Sequence, residues 1–217
     1  MLAQLTERRR RIEEGEASLG WKLGMGVPAA MAKLGTDAPL VGYLLAPARV
    51  DDGGTVSLDG WGTAKLEPEI AVHMGADLAA GASREDAGAA IAGLGPAIEL
   101  VDLDPSADDP EAILAADIFQ RHVLLAAPVS GAPASGAAAR ITRNGEEEAS
   151  TADATEVTGD PVDLVLHVAN TVGDAGETLR AGEVVICGSV VPALDIAPGA
   201  TVEVRLPPLG SLVVNFE

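Results

Sequence analysis

Short apolar runs separated by Gly and Pro turns dominate the pattern of hydrophobic and polar positions along the chain. Residues 97–103 and 122–129 are nearly continuous apolar runs, which is typical of buried strands. Further short apolar segments follow between residues 182 and 216, joined by Gly and Pro turns. The pair Asn144-Gly145 between two alternating segments predicts a hairpin with a type I′ turn. The pattern therefore predicts a protein that is mostly β.

Helical periodicity interrupts these strands in several places. Ser83 followed by Asp86 resembles a capping box, and the helix after it is predicted to end at the Gly-Pro pair 95–96. The predicted helices are residues 2–17, 28–34, 84–94 and 161–172. Helices around many short strands indicate an α+β fold, and residues 1–217 are interpreted as a single domain whose first forty residues form an N-terminal helical part.

Composition narrows the classes of function. The chain has 217 residues, 47% of them hydrophobic, which is enough for one sizeable core. The formal net charge is -19. Nucleic acids and anionic membrane surfaces attract Lys and Arg, so this charge argues against both as partners.

The first residues and the cysteine content indicate the compartment. The N-terminal segment has four arginines but no apolar core, so it does not read as a secretory signal. No run of about 18 apolar residues occurs, so no membrane span is predicted. Cys187 is the single cysteine, which excludes an internal disulfide. These features lead us to expect a cytoplasmic protein.

The segment "KLEPEIAVHMG", residues 65–75, places two glutamates in an otherwise apolar strand. Residues at i and i+2 share one face of a strand, so Lys65, Glu67 and Glu69 are expected to project together. Pro68 lacks an N–H group and faces the other way, which favours an edge strand or a bulge. Two adjacent buried carboxylates repel each other unless a cation neutralises them.

Glu99 is a third carboxylate within an apolar run, "PAIELVD". Hard divalent ions such as Mg²⁺ or Mn²⁺ prefer ligand sets made only of oxygen atoms. A metal site is one interpretation of the three glutamates. The other is that Glu67 and Glu69 form an exposed strand face while Glu99 pairs with an arginine. The spacing alone leaves both interpretations open.

Several segments, taken in order, resemble the 2-keto-4-pentenoate hydratase group of the fumarylacetoacetate hydrolase superfamily. The resemblance implies an α+β fold with a mostly β, mixed-sheet roll or barrel-like core and flanking helices. It also implies a homo-oligomer and an association with a decarboxylase of the same pathway. The segments that carry it are "GWKLGM" (20–25), "KLEPEIAV" (65–72), "AIELVD" (97–102), "LRAGEVVICGS" (179–189) and "LGSLVVNF" (209–216).

The resemblance implies a metal site. In it, Glu67, Glu69 and Glu99 bind one Mg²⁺ or Mn²⁺ and leave positions for water and a 2-oxo acid. Lys22 is implied to lie near the substrate as an acid/base residue. Partial burial near a metal can lower the pKa of a lysine, which suits proton transfer, so we expect a lowered pKa for Lys22.

Substrate contacts are predicted at four further residues. The resemblance implies that Gly188 and Ser189 form a turn that contacts the substrate. It also implies that Asp117 occupies the first position of an Asp-Asn pair that belongs to the substrate site. Lys65 shares the predicted face of Glu67 and Glu69, so we expect it to balance their charge or to hold the substrate.

The function implied is that of a metal-dependent lyase. It would hydrate 2-hydroxypenta-2,4-dienoate to 4-hydroxy-2-oxopentanoate, or act on a related short 2-oxo acid, in the catabolism of aromatic compounds. One alternative is a 4-oxalocrotonate-type decarboxylase with the same metal site. Another is a non-catalytic paralogue or partner subunit. Pro47 and Ile118 favour this last alternative, because the hydratases carry polar residues at the corresponding positions.

Overall fold

Two β-sheets carry the fold in a computed structural model of the chain, which describes residues 2–104 and 106–217. The strands are β1 (Ser18–Gly24), β2 (Leu40–Leu45), β3 (Thr55–Val56), β4 (Ala64–Met74), β5 (Ile91–Asp102), β6 (Gln120–Leu125), β7 (Ala139–Arg143), β8 (Glu146–Thr151), β9 (Val184–Ser189), β10 (Leu194–Asp195), β11 (Thr201–Leu206) and β12 (Gly210–Phe216). The helices are α1 (Leu2–Glu13), α2 (Pro28–Leu34), α3 (Arg84–Ala90), α4 (Pro110–Ala115), α5 (Thr155–Thr158) and α6 (Pro161–Gly173), with short 3-10 turns at Ala46–Ala48 and Asp117–Phe119.

The larger sheet has seven strands in the order β2-β1-β9-β4-β5-β6, with β10 paired to β4. It is mixed, because β1 and β9 are parallel whereas the other neighbours are antiparallel. The smaller sheet has the order β3-β12-β11-β7-β8. The predicted α+β class with a barrel-like mixed sheet is confirmed, since the fold has mixed sheets, a sheet curled into a half-barrel and several helices.

Local sequence signals account for several of these elements. Asn144 and Gly145 both have positive φ angles, 51° and 85°, and they join β7 to β8 as the predicted hairpin turn. The capping box of Ser83 and Asp86 opens α3. Asp160 caps α6, where its side chain accepts a hydrogen bond from the backbone of Val162.

Three predictions about local structure were wrong. Helix α3 ends at Ala90, and the residues up to the Gly-Pro pair 95–96 belong to strand β5, because pairing with β4 overrides their helical spacing. The first forty residues are not uniformly helical, since β1 lies between α1 and α2. The edge position expected for Pro68 is also wrong. Strand β4 lies inside the sheet, where Pro68 stands between the residue paired to β10, Leu66, and the start of the pairing to β9 at Glu69. The irregularity of the β4–β9 ladder lies between Glu69 and Ala71 and not at Pro68.

The larger sheet has two differently composed faces, because side chains alternate along each strand. On one face, Leu66, Ile70 and Val72 of β4 join the main hydrophobic core. On the other face, Ala71 belongs to a small separate cluster. The remaining members of that small cluster are Leu44, Ala97, Val123, Val184 and Ile186. This second face is where the polar residues predicted for the site project.

None of the helices that the structure describes has the length and apolar character needed to cross a membrane.

Candidate metal centre

Three glutamates converge on the second face of the larger sheet. The antiparallel register of β4 and β5 places Glu67 directly opposite Glu99, and Glu69 follows two residues later on the same face. One carboxylate oxygen from each of the three lies within 4.8 Å of the others. Glu69 and Glu99 are buried, and Glu67 is partly exposed. Like charges directly opposite in a sheet repel, so a cation placed among the three carboxylates would stabilise their ionised forms.

The two oxygens of Glu69 have different environments. Glu69 Oε2 accepts a hydrogen bond of 2.6 Å from the backbone N–H of Gly188. Glu69 Oε1 is buried and has no hydrogen-bond partner among the residues that the structure describes. A buried polar atom of this kind normally has a partner, so the free oxygen indicates where a ligand would bind.

Lys22 supplies the positive charge beside the glutamates. Its side chain is fully buried, and its ammonium group forms an ion pair with Glu99 Oε1. The same Nζ atom also donates to the backbone carbonyls of Asp117, at 3.2 Å, and Ile118, at 3.3 Å. An ammonium group has three N–H donors, so these three acceptors match its full capacity.

The lysine fits here because its neighbour across the sheet is a glycine. Gly42 on β2 pairs with Lys22 on β1. A Cβ atom at position 42 would lie 2.7 Å from Lys22 Cγ and 2.9 Å from Asp117 Oδ1, which is closer than real Cβ contacts allow. The glycine therefore permits the close approach of both side chains.

A left-handed turn supplies the two carbonyls. Asp117, Ile118 and Phe119 have φ angles of 48°, 51° and 64°, so three consecutive non-glycine residues adopt left-handed geometry. Such geometry is costly, above all for a β-branched residue such as Ile118. Backbone strain of this kind persists only where the surrounding structure imposes it, and it clusters at functional sites.

Burial and mutual repulsion disfavour the charged forms of the three glutamates. Burial raises the pKa of Glu99 to about 7, despite the opposing effect of Lys22. Burial, reinforced by the charges of Glu99 and Glu67, holds the pKa of Glu69 well above its ordinary value. Burial likewise raises the pKa of Glu67. Each of these shifts would be relieved by a bound cation.

In the protein without metal the pKa of Lys22 is raised, and the lowered pKa expected beside a bound metal stays a prediction. Burial alone acts to lower the pKa, but the negative charges of Glu99 and Asp117 outweigh it, and the net direction is upward. Lys22 therefore carries its proton at neutral pH in the protein without metal.

The residues present fit a divalent cation. Three carboxylates face one ammonium group, so the cluster carries excess negative charge if all four groups are ionised. The ligand atoms are all oxygens, which is the set that hard ions such as Mg²⁺ and Mn²⁺ prefer. The unpartnered Glu69 Oε1 gives such an ion a buried oxygen that no protein donor occupies.

A cavity of about 390 Å³ opens beside Glu67. Most of its wall is apolar, formed by side chains that include Leu23, Met25, Val157 and Val191. No Lys, Arg or His occurs in this wall as the structure describes it. The cavity therefore suits the apolar part of a small molecule whose polar end reaches the glutamates.

Gly188 and Ser189, for which substrate contacts were predicted, line this cavity. The N–H group of Gly188 is already used, since it donates to Glu69. The hydroxyl group of Ser189 donates to the carbonyl of Val191 at 2.6 Å. In this structure both residues therefore shape the wall through bonds within the protein.

Lys65 and Asp117 have other partners than a substrate. Lys65 Nζ forms an ion pair of 2.7 Å with Asp195 on β10. Asp117 is absent from the cavity wall, and its Oδ1 atom accepts hydrogen bonds from Gln4 Nε2 and from the backbone of Tyr43, each at 2.9 Å. The predicted contact of Asp117 with substrate stays a prediction, and in this structure its Oδ1 atom is bound by protein donors.

Sequence reasoning missed Gly42, Gln4 and the left-handed turn. An isolated glycine within the apolar run "LVGYLL" is a signal of close backbone approach that could have identified Gly42. No local signal identifies Gln4, because its partner is 113 residues away. No local signal marks the turn either, since isoleucine ordinarily avoids positive φ.

Comparisons with known proteins identify the family. The family model described as fumarylacetoacetate (FAA) hydrolase C-terminal matches residues 20–217, which include every residue of the glutamate site. The chain belongs to the fumarylacetoacetate hydrolase family. The family resemblance inferred from the sequence segments is thus confirmed.

Two kinds of lyase occur among the similar family members. A 4-oxalocrotonate decarboxylase of Pseudomonas putida is 30% identical over 215 residues, which are 96% of this chain and 81% of that protein. A 2-hydroxyhexa-2,4-dienoate hydratase of Comamonas testosteroni is also 30% identical, with 96% and 81% covered. Sequence identity at this level does not separate hydratases from decarboxylases for this chain.

A solved structure with the same fold contains a metal. The 4-oxalocrotonate decarboxylase from Pseudomonas putida G7, complexed with magnesium and adipate, matches with a TM-score of 0.90 and 29% identity. The match covers 99% of this chain and 83% of that chain.

Proposed function

We propose that this protein is a divalent-metal-dependent lyase that hydrates 2-hydroxypenta-2,4-dienoate, or a short 2-oxo acid of similar size, in the catabolism of aromatic compounds. The observation that carries the choice of hydration is the apolar wall of the cavity beside Glu67. The acidic cluster and the similarity to hydratases and decarboxylases support metal-dependent lyase chemistry.

The charge of the substrate separates the two candidate reactions. 2-Hydroxypenta-2,4-dienoate has one carboxylate and an uncharged vinyl end, whereas a 4-oxalocrotonate-type substrate has a carboxylate at each end. Burying a carboxylate without a cationic partner is costly. The cavity wall offers no Lys, Arg or His among its described residues, and Glu67 adds negative charge. A substrate with an uncharged end is therefore favoured.

Glu67, Glu69 and Glu99 would hold the cation, which we propose to be Mg²⁺ or Mn²⁺. When bound, such an ion supplies Lewis acidity to the carboxylate and 2-oxo oxygens of the substrate. Gly188 orients Glu69 for this role through its backbone N–H group.

Lys22 is the residue that we propose moves a proton. Its ammonium group is charged at neutral pH and is held by Glu99 and two carbonyls, so it would release one of these three acceptors when it gives a proton to the substrate as a general acid. The ion pair with Glu99 keeps that proton next to the site. The apolar wall, including Leu23 and Val191, limits the access of bulk water to the reacting end.

Decarboxylation is the second candidate. It is favoured by the similarity to 4-oxalocrotonate decarboxylases, one of which has a TM-score of 0.90 and is complexed with the dicarboxylate adipate. In that case a cation outside the described wall would have to meet the second carboxylate.

The test supplies the purified protein and Mg²⁺ or Mn²⁺ with 2-hydroxypenta-2,4-dienoate and, separately, with 2-oxohex-3-enedioate. Loss of dienol absorbance without release of CO₂ is the expected result. Release of CO₂ from the dicarboxylate alone would replace hydration by decarboxylation. Turnover of neither, with no metal bound at micromolar concentration, would leave the non-catalytic alternative.

A pair of glutamate variants tests the site. Glu67→Gln removes one proposed ligand charge and is expected to lower both metal affinity and turnover. Glu203→Gln removes a charge from β11 in the other sheet and is expected to retain turnover. Full metal binding and activity in Glu67→Gln would show that the site is assigned wrongly.

A further inference from the structure

Helix α1 contacts the left-handed turn that holds Lys22. Gln4 is almost fully buried, and its Nε2 atom donates to Asp117 Oδ1 at 2.9 Å. The same Oδ1 atom accepts from the backbone N–H of Tyr43 at 2.9 Å. Strand β2, which carries Tyr43, and helix α1 thus bind one carboxylate oxygen from two sides. Asp117 thus has two sets of partners: its carboxylate is bound by Gln4 and Tyr43, and its backbone carbonyl accepts a hydrogen bond from Lys22.

The turn needs such restraint. Asp117, Ile118 and Phe119 are all left-handed, and an isolated chain would not hold three non-glycine residues in this geometry. Ile118 is fixed by packing on Gly24, where a Cβ atom would lie 2.8 Å from Ile118 Cγ2. Asp117 is fixed by Gln4 and by the backbone of Tyr43. If the turn relaxed, its two carbonyls would leave the ammonium group of Lys22.

Helix α1 is itself anchored to the strand that carries Lys22. Arg8 follows Gln4 by one helical turn, so the two side chains share a face of α1. The guanidinium group of Arg8 stacks 4.3 Å above the ring of Trp21, the residue before Lys22, and donates to Ser18 at 3.0 Å. Gln4 therefore projects from a helix whose position is fixed relative to β1.

We propose that Gln4 is a positioning residue for the reaction. Through its bond to Asp117 it holds the left-handed turn, and the carbonyls of that turn hold the ammonium group of Lys22. This proposal rests on the proposed function for its kinetic consequence only. Gln4 is not among the described residues that line the cavity, and its hydrogen bond goes to Asp117 and not to a glutamate. A positioning effect should thus reduce kcat and leave the binding of metal and substrate nearly unchanged.

The first experiment compares Gln4→Met with Val168→Ala. Methionine retains the length of the side chain and removes the donor, whereas Val168→Ala removes buried methyl groups from α6, far from the turn in sequence and outside the site. We expect Gln4→Met to lower kcat about tenfold, with the KM and the Kd for Mg²⁺ within about twofold. Val168→Ala is expected to lower the Tm without lowering kcat. Gln4→Asn, which keeps the amide on a shorter side chain, should fall between wild type and Gln4→Met.

The second experiment needs no substrate. The chain has three lysines, Lys22, Lys33 and Lys65, so ¹⁵N-labelled lysine gives three side-chain Nζ signals in the full-length protein with Mg²⁺. Buried Lys22 is expected to give a signal protected from exchange with water. Gln4→Met should shift that signal and shorten its lifetime, while the signals of Lys33 and Lys65 stay in place and Val168→Ala changes none of them.

The two experiments separate the proposal from the proposed function. An unchanged kcat and an unchanged Lys22 signal in Gln4→Met, with a lower Tm, would overturn the proposal and leave Gln4 a stabilising residue. A shifted signal with unchanged kcat would also overturn it, because the position of Lys22 would then not control the rate. If the wild type turns over neither dienoate nor dicarboxylate, the proposed function fails, and the Lys22 signal alone decides whether Gln4 positions this lysine.

Discussion

Two buried clusters of charged and polar residues lie on opposite faces of strand β1. Each contains one of two adjacent residues of that strand, Trp21 or Lys22. Trp21 faces the main core and belongs to the Arg8 cluster, in which its indole donates to Glu183. This cluster consists of Arg8, Ser18, Trp21 and Glu183. Lys22 faces the other way and belongs to the glutamate cluster, in which it forms an ion pair with Glu99. This cluster consists of Lys22, Glu67, Glu69 and Glu99. Both clusters are largely shielded from water, but their bonding differs.

The carboxylate of the Arg8 cluster is saturated by protein donors. Glu183 Oε1 accepts from Ser18 at 2.7 Å and from Arg8 at 3.3 Å. Glu183 Oε2 accepts from the indole of Trp21 at 3.1 Å and from the backbone of Arg180 at 2.9 Å. Four donors leave this carboxylate little capacity for a ligand. We therefore interpret the cluster as structural, with Arg8 fixing α1 to the strand that carries Trp21.

In the glutamate cluster the protein donors do not satisfy all of the carboxylate oxygens. Three carboxylates share one ammonium group, Glu69 Oε1 has no partner among the described residues, and Glu99 has a pKa of about 7. Burial of charge is therefore not what distinguishes a functional site in this protein. The distinguishing features are an excess of one sign of charge and a buried acceptor that no protein donor satisfies.

The largest expected effect comes from Glu69→Gln. The change removes one ligand charge and keeps an oxygen for the N–H of Gly188, so metal affinity should fall more than a hundredfold and kcat/KM about a thousandfold. Without metal, the variant should unfold at the same or a higher temperature than wild type, because one repelling carboxylate is gone. Calorimetric titration with Mg²⁺ and thermal unfolding in EDTA measure both. Retained Mg²⁺ affinity would contradict the proposed difference between the clusters.

Glu183→Gln should produce the opposite result. It removes the buried counter-charge of Arg8 and leaves Glu177, at 3.5 Å, as the carboxylate partner of the guanidinium, which we expect to cost about 2 kcal/mol of unfolding free energy. Activity per folded molecule and Mg²⁺ affinity should stay within about twofold of wild type, since Glu183 contributes nothing to the glutamate cluster. Urea unfolding and kcat measured well below the Tm test this. A loss of Mg²⁺ binding would show that the two clusters are coupled.

Lys22→Met tests what the ammonium group of Lys22 contributes to turnover and to metal binding. It removes the proposed proton donor, so kcat should fall about a hundredfold. It also removes the cation that pairs with Glu99, and Mg²⁺ should therefore bind several-fold more tightly. Lys33→Met is the matched control, because the ammonium group of Lys33 is exposed and donates to the carbonyl of Ala107. Weaker Mg²⁺ binding in Lys22→Met would indicate that the lysine orients Glu99 rather than competing for it.

The pH dependence of stability gives the smallest effect. The pKa of Glu99 is about 7 in the folded protein and ordinarily 4.5, so protonation of Glu99 stabilises the folded state. That contribution is fully present below about pH 4.5 and is lost as the pH rises through about 7. Without metal, the Tm should therefore fall across this window, and Glu99→Gln should flatten the slope.

Mg²⁺ should counteract that loss at neutral pH. At tenfold its Kd, a ligand that binds the folded state alone adds about 1.4 kcal/mol of stability. Binding should release protons near pH 7, which calorimetry in two buffers of different ionisation enthalpy detects. Glu69→Gln, in which the site is disrupted, provides the control without metal stabilisation. A Tm that rises with pH in EDTA would contradict the raised pKa of Glu99.

Much of the site could be predicted from the sequence, and the failures share one cause. The spacing of Glu67 and Glu69 indicated a common face because alternation is a local property of any strand. The helix after Ser83 was predicted too long because its continuation is decided by pairing with β4. The hydrogen bonds of Gln4 and Tyr43 to the carboxylate of Asp117 were not predicted, because no local signal connects residues so far apart in the chain.

The sequence by itself determined the chemistry available: an oxygen-only set of glutamates, a lysine between glycines, the hairpin and helix caps, and the family. Only the tertiary structure decided how these groups meet. The β4–β5 register places Glu99 opposite Glu67, the packing of β2 on β1 buries Lys22 beside Gly42, and α1 reaches the turn at Asp117. The physical reason is that spacing and propensity act over a few residues. Register, burial and the sign of the Lys22 pKa shift depend instead on groups up to about a hundred residues apart, which the core brings together.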